Sequence, residues 1–320
     1  MIRNLAANSG LPFYIVDVFS IEKQKFTGNQ LAVVRNAKSL KTAEMQRIAN
    51  EMHFSETTFI GSDEINSESG EKSGGYDVRI FTPNYELKFA GHPTLGTAYV
   101  IQQEILRKPV ETVKLNLGVG QIPVTFGYGQ GNGPGDVREM WMKQVEPKFK
   151  DFNHSKKELT DVLGIVESDF DDRFPIQDVS TGIFTTIIPL RSLSAVKSAK
   201  VDTRAYSKYV QDRESKTLLI FSPETYDKAN DLNVRVFAIF YGVPEDPATG
   251  SANGCLAAYL MKNSYFGKDK TEIKDVKVEQ GYEINRPSLL KLNASANDRG
   301  RINVEVGGSA VIVVEGKLLI

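Results

Sequence analysis

Two stretches of the chain, residues 79–99 and 235–259, read as copies of one element. The first is R-I-F-T-P-N-Y-E-L-K-F-A-G-H-P-T-L-G-T-A-Y, and the second is R-V-F-A-I-F-Y-G-V-P-E-D-P-A-T-G-S-A-N-G-C-L-A-A-Y. Each opens on an Arg–aliphatic–Phe strand start and reaches a glycine followed by a polar residue, Gly91-His92 and Gly250-Ser251. Each then enters a helix of small residues ending in Ala-Tyr. The second copy is three residues longer between Arg and Gly. A chain that repeats itself in this way is expected to build two similar half-domains, and such pairs commonly place one site at their junction.

The repeat reaches further upstream. Thr42 to Glu56 spans fourteen positions, as does Asp202 to Lys216, and the segments that follow align as S-E-T-T-F-I (55–60) and S-K-T-L-L-I (215–220). A helix cap, a helix and a strand therefore recur at one spacing. Glu56 falls opposite Lys216, so an ionisable base would come from the first half only.

The rest of the chain fills in an α+β pattern. Tyr14–Phe19, Leu31–Val34, Ser55–Ile60 and Tyr76–Phe81 are β-branched and aromatic runs that predict strands. Thr42 is the expected cap of a helix over 43–52, and Asp202 that of one ending near Gln211. Residues 113–117 and 122–126 predict a hairpin around Gly118-Val-Gly120. In the second half, 183–188, 215–221 and 234–240 predict strands. Residues 301–306 and 310–314 predict a closing hairpin. The Gly/Ser/acid-rich segment 61–75 is expected to be an exposed loop, residues 1–10 a tail, and the glycine-rich segment 127–135 a linker. The halves are then 1–135, with its central helix at 92–104, and 136–320, with its central helix at 251–262. A strand near 310–320 could pack back onto the first half.

Composition narrows the function. With 320 residues, net charge −1 and one cysteine, the chain is an ordinary globular protein without an intrachain disulfide. It lacks the basic surplus of a nucleic-acid or anionic-membrane binder. Its three histidines are too scattered for an obvious metal cage. No secretory signal and no membrane-spanning run are read, so the expected location is the cytoplasm. The N-x-S triplets at Asn153 and Asn293 are then coincidence.

Gly91-His92 and Gly250-Ser251 each stand between a strand and a helix start, where free backbone N–H groups and the helix dipole favour an anion. Either pair alone reads more readily as an ordinary helix N-terminus; their matched placement points to a site. Glu56 could serve as a general acid/base if desolvated in a cleft, although a solvated glutamate is the commoner fate. Asp246, in Glu245-Asp-Pro247, could meet a polar group of a substrate or simply form a turn. His92 could polarise a carbonyl, relay a proton, or cap its helix. Cys255 reads as a small buried core residue rather than a nucleophile. Residues 127–135 match neither phosphate-loop pattern.

Asp17-Val-Phe19, Phe26–Val34, Phe54-Ser-Glu-Thr-Thr58, Ile80–Pro83, Phe89–Thr94 and Glu245–Ser251, in this order, resemble the phenazine-biosynthesis PhzF-like family, which has the diaminopimelate epimerase-like fold. The resemblance runs from about residue 12 to the C-terminus. It implies two pseudo-symmetric halves, each a curved, mostly antiparallel sheet wrapped around a central helix, with the site between them. It also implies a cofactor-independent isomerase that shifts a proton on a small cyclic or unsaturated carboxylic acid by general acid/base catalysis with Glu56, and a homodimer. The family's site glutamate, histidine, aspartate and serine match Glu56, His92, Asp246 and Ser251. Substrate-binding positions are expected at Gly91, Gly250 and Ser251, with no metal and no cofactor. Epimerases of this fold use one cysteine per half; with His92 and Ser251 near those places, a two-thiol racemisation is not available here. The alternative, from another class, is a non-catalytic binder of small carboxylates that kept the fold.

Overall fold

The computed structural model describes residues 10–67, 73–130, 134–152, 155–267 and 271–320. The expected tail before Gly10, the middle of the 61–75 loop, residues 131–133 of the glycine-rich segment and the Asn153 triplet lie outside the described residues. The chain divides into two compact units, Met1–Met142 with Ser309–Ile320, and Lys143–Gly308.

The first unit contains β1 (Leu11–Ser20), β2 (Asn29–Val34), α1 (Thr42–Met52), β3 (Glu56–Ile60), β4 (Tyr76–Phe81), β5 (Glu86–Leu87), α2 (Gly91–Val100), β6 (Thr112–Leu117), β7 (Gly120–Tyr128) and β8 (Val137–Lys143). The second contains β9 (Lys148–Asp151), α3 (Lys156–Leu163), β10 (Gln177–Ser180), β11 (Phe184–Pro189), α4 (Leu193–Ser198), α5 (Thr203–Val210), β12 (Thr217–Ser222), β13 (Leu232–Ala238), β14 (Val243–Asp246), α6 (Gly250–Lys262), β15 (Glu272–Gln280) and β16 (Ser288–Ala296). The last strand, β17 (Ile302–Leu318), belongs to the second unit up to Gly308 and to the first from Ser309.

The two units share one order of strand pairing. In the first, β1–β2 is antiparallel, β2–β3 parallel, β3–β4 antiparallel, β4–β6 parallel and β6–β7 antiparallel. In the second, β10–β11, β11–β12, β12–β13, β13–β15 and β15–β16 follow the same alternation. Short β5 and β14 pair antiparallel with β4 and β13, each just ahead of a glycine-led helix.

Helix α2 contacts β1, β2, β3, β6 and β7, and every one of its residues is buried. A helix without a polar face can only be an interior one. On the other sheet face, α1 sets Met45 and Ala49 against Val34, Phe59 and Phe81. Strand β3 serves both faces, because successive side chains alternate. Thr58 meets Thr97 of α2 at 2.8 Å between hydroxyls, whereas Phe59 packs edge-on against Phe81 beneath α1. Strands covered on both sides explain the near-continuous apolar runs of the sequence. In the second unit α3, α4 and α5 cover Ile188, Leu218, Ile220 and Phe237, while α6 contacts β10, β11 and β16.

Four expectations differ from the structure. Thr42 is the first residue of α1 rather than its cap: Glu44 reaches back to accept the Lys41 N–H at 2.7 Å, and the Thr42 hydroxyl accepts from Arg79 instead. Asp202, by contrast, accepts the Ala205 N–H at 2.7 Å and caps α5. The helix expected over 92–104 starts at Gly91 and continues past Val100 as a π-helical turn over Ile101–Leu106, ended by left-handed Arg107. The described part of 127–135 is no linker: β7 runs to Tyr128, and Gly129 donates to Asp136 across the end of the β7–β8 hairpin. The closing hairpin is one strand. Gly307 and Gly308 stay extended, residues 302–307 pair with β16, and residues 309–318 pair with β1. Two successive partners satisfy the backbone without a turn.

Gly96 sets how closely α2 approaches the sheet. A Cβ there would lie 2.6 Å from both Leu31 Cδ2 and Val18 Cγ2, two side chains with no exposed surface. Gly96→Ala is therefore expected to destabilise the protein by about 1–3 kcal/mol through overpacking. Denaturant unfolding checks this; a variant as stable as the parent would show that the interface is not tight.

Candidate active site

In the first unit the candidate groups gather at the N-terminus of α2. Ala90 is extended, and Gly91 and His92 are the first two helical residues. Their N–H groups precede the intrahelical ladder, Pro93 has none to offer, and the Thr94 hydroxyl folds back onto the Ala90 carbonyl at 2.7 Å. Glu56 opens β3, in parallel register with Leu31 of β2. The strand start thus carries its side chain to the helix end, and Glu56 Oε2 lies 3.4 Å from His92 Nε2. The Glu56 side chain keeps 16% of its surface exposed and His92 6%.

Burial drives the His92 imidazole down to about 3, with a backbone hydrogen bond at Gln30 opposing it. The ring is therefore neutral near pH 7, and its approach to Glu56 is a carboxyl–imidazole contact rather than an ion pair. Apart from its approach to Glu56, Nε2 has no hydrogen-bond partner among the described residues. The other ring nitrogen, Nδ1, lies 3.4 Å from the Asn29 amide nitrogen.

In the second unit the candidate groups gather at the N-terminus of α6. Thr249 is the extended residue before the helix, followed by Gly250, which is buried, and Ser251, which is half-buried. Asp246 ends β14 with its side chain buried, and it accepts a short hydrogen bond from the Thr249 hydroxyl. Cys255, one turn further on, is fully buried between Thr181 and the Ile183 carbonyl, each 3.6 Å from Sγ. Burial pushes its thiol up, which suits a core residue and disfavours a thiolate.

The hairpins that lead into α2 and α6 share a feature that the sequence comparison passed over. Arg79 holds Glu86 through two bonds of 2.7 and 2.6 Å, and Arg235 holds Glu245 through two of 2.9 and 2.7 Å. Each glutamate stands five residues ahead of the helix glycine, at Gly91 and Gly250. The longer second hairpin thus takes up its extra residues between Arg and Glu, and that constant spacing was the available signal. The first pair is open to solvent, with side chains 36% and 39% exposed, and contributes little by itself. The second is buried, at 9% and 12%, and Arg235 also donates to the Val196 and Ala199 carbonyls. Removing either member there leaves a buried charge, which costs about 3–5 kcal/mol. Asn29, Gln30 and Gln280 were likewise not singled out individually. Their side chains or carbonyls act only through partners distant in sequence.

The phenazine biosynthesis-like (PhzC-PhzF) family model matches residues 16–316, and the chain belongs to this family. An uncharacterized isomerase of Bacillus subtilis is 32% identical over 285 residues, 89% of this chain and 91% of the relative. The trans-2,3-dihydro-3-hydroxyanthranilate isomerase of Pseudomonas fluorescens is 32% identical over 310 residues, 96% of this chain and 99% of that enzyme. Among solved structures, the PhzF-family phenazine biosynthesis protein of Bacillus anthracis aligns with a TM-score of 0.84 at 28% identity, covering 97% of this chain and 99% of the other. A hydroxyproline epimerase from Agrobacterium vitis, with a TM-score of 0.57 at 8% identity over 96% of this chain and 90% of that one, shares the fold alone. The chain is an isomerase of an epimerase-like, mixed-sheet fold. No helix among the described residues is long and apolar enough to cross a membrane.

The buried imidazole has a consequence for acid stability. A histidine held near 3 when folded and near 6.5 when unfolded binds its proton more readily in the unfolded chain. The stability it contributes is complete above about 6.5 and is lost as pH falls toward 3. His92→Asn should therefore flatten the decline of melting temperature between those limits. Parallel melting curves for the variant and the parent would show that His92 is not held neutral.

Proposed function

We propose that this family member is a cofactor-independent isomerase that shifts a proton on a small cyclic or unsaturated carboxylic acid, with Glu56 as the general acid/base. The observation that carries this reading is the 3.4 Å contact between Glu56 Oε2 and Nε2 of a neutral, buried imidazole. Glu56 as carboxylate takes a proton from a carbon conjugated, directly or through a double bond, with the substrate carboxyl. The C–H electron pair moves into the conjugated system, the proton on the partly exposed Glu56 carboxyl exchanges with solvent, and a proton is delivered from Glu56 to another carbon of it. One C–H bond breaks and one forms, with no net redox change. His92, neutral throughout, stays against Glu56 and so keeps the acid correctly aimed.

The developing negative charge needs fixed donors. At the N-terminus of α2 the amide at Gly91 is such a donor for an anionic group; at that of α6 the amide at Gly250 and the Ser251 hydroxyl are, and Asp246 there orients a polar substituent of the substrate. The name of the Pseudomonas fluorescens relative supports the substrate class: its substrate is a cyclic, unsaturated amino acid with a hydroxyl group.

Incubation with trans-2,3-dihydro-3-hydroxyanthranilate in heavy water should incorporate one solvent deuteron into product. Glu56→Gln should lower kcat by about 10²–10⁴-fold, the usual worth of a positioned acid/base, while leaving the fold intact. Turnover within a few-fold of the parent would remove Glu56 from the mechanism. Binding with neither product nor exchange would instead identify a carboxylate-binding protein. Ser251→Ala should raise KM by about 10-fold or more, the loss of one hydrogen bond to a charged group.

A further inference from the structure

We infer that Gln280 is a positioning residue for Asp246, acting through the Thr249 hydroxyl. Gln280 is the last residue of β15 and has no exposed surface, an unusual setting for a glutamine. Its amide meets two backbone groups of fixed polarity. The Thr249 N–H, which can only donate, lies 3.2 Å from Oε1, and the Asp246 carbonyl, which can only accept, lies 2.7 Å from Nε2. These two bonds set which end of the amide is oxygen and which is nitrogen. Asn253 Nδ2, held by the Thr249 carbonyl at 3.0 Å, adds a second donor to Oε1 at 2.8 Å.

With the amide so oriented, Nε2 also donates to Thr249 Oγ1 at 3.0 Å. The hydroxyl has one proton, and its lone pair is already engaged by Nε2. That proton must go to its other neighbour, Asp246 Oδ2. The chain Gln280 Nε2–H to Thr249 Oγ1–H to Asp246 Oδ2 therefore has one direction. Asp246 is held as an acceptor at both its backbone carbonyl and one carboxylate oxygen, at the N-terminus of α6.

The backbone enforces the same contact. Gly281, next to Gln280, has φ +81°, and a Cβ there would lie 2.3 Å from the Arg286 carbonyl oxygen and 2.7 Å from that of Pro247. Only glycine lets the end of β15 come this close to the loop between Asp246 and Thr249. The Arg235–Glu245 pair fixes that loop from its other end.

This inference rests on Asp246 orienting the substrate, as proposed above. The test uses the full chain with Thr249→Val, Thr249→Ser, Gln280→Met and the Thr249→Val/Gln280→Met double variant. Kinetics are measured on trans-2,3-dihydro-3-hydroxyanthranilate, and the Gln280→Met crystal structure is determined. Thr249→Val and Gln280→Met should each lower kcat about 10-fold, the worth of one net hydrogen bond, with KM nearly unchanged. Thr249→Ser should restore most of what Thr249→Val loses. The double variant should be no worse than the poorer single, because both interrupt one relay. Multiplying losses, or full activity in Thr249→Val, would overturn the inference. A parent without turnover would sink the functional reading, and the crystal structure would then decide alone. An Asp246–Thr249 contact unchanged in Gln280→Met refutes the relay, and an opened one supports it.

Discussion

A helix buried on every side must still dispose of the polar groups at its ends. Helix α2 is in this position along its whole length and α6 along most of its own, both being led by glycine and made mainly of small and apolar residues. Along their lengths the intrahelical ladder satisfies the backbone. At the N-terminus it cannot, because the first amides have no partner one turn earlier. Polar side chains therefore collect there. His92, Asn29 and Gln30 gather at α2, and Asp246, Thr249, Asn253 and Gln280 at α6. The candidate site residues therefore stand where a packing problem has to be solved.

The same burial decides the character of those groups. An imidazole removed from water is held neutral, so His92 is an uncharged hydrogen-bonding group rather than a cation beside Glu56. A carboxylate and a guanidinium removed from water must be paired, and Arg235 meets Glu245 in two bonds while its remaining donors find backbone carbonyls. The solvent-exposed counterpart, Arg79 with Glu86, has the same bidentate geometry without that compulsion. One ion pair thus has different weight in the two units, because only one of them would leave a stranded charge if broken.

Much of this was legible in the amino-acid order. Strand β4 matches its expected bounds, Asp202 caps its helix, Cys255 is a core thiol, and the ordered motifs from Asp17 to Ser251 identified the family. Expectations failed where one local signal had two outlets. Thr42 looks like a cap, but Arg79, thirty-seven residues away, claims its hydroxyl, and Glu44 supplies the cap bond. Gly307-Gly308 looks like a turn, yet each side of it finds a strand to continue along. Glycines permit a turn without requiring one.

By itself the sequence determined the repeat, the alternation of strands and helices, and the residue types available for chemistry. These depend on spacing and side-chain identity, which are local. Tertiary structure alone decided the states and directions of those groups: that Glu56 and His92 meet, that the ring is neutral, and that a glutamine thirty-four residues beyond Asp246 orients a threonine toward it. Charge state and hydrogen-bond direction depend on who is near and how much water is excluded. Both are properties of packing between segments far apart in the chain, and no spacing along it encodes them.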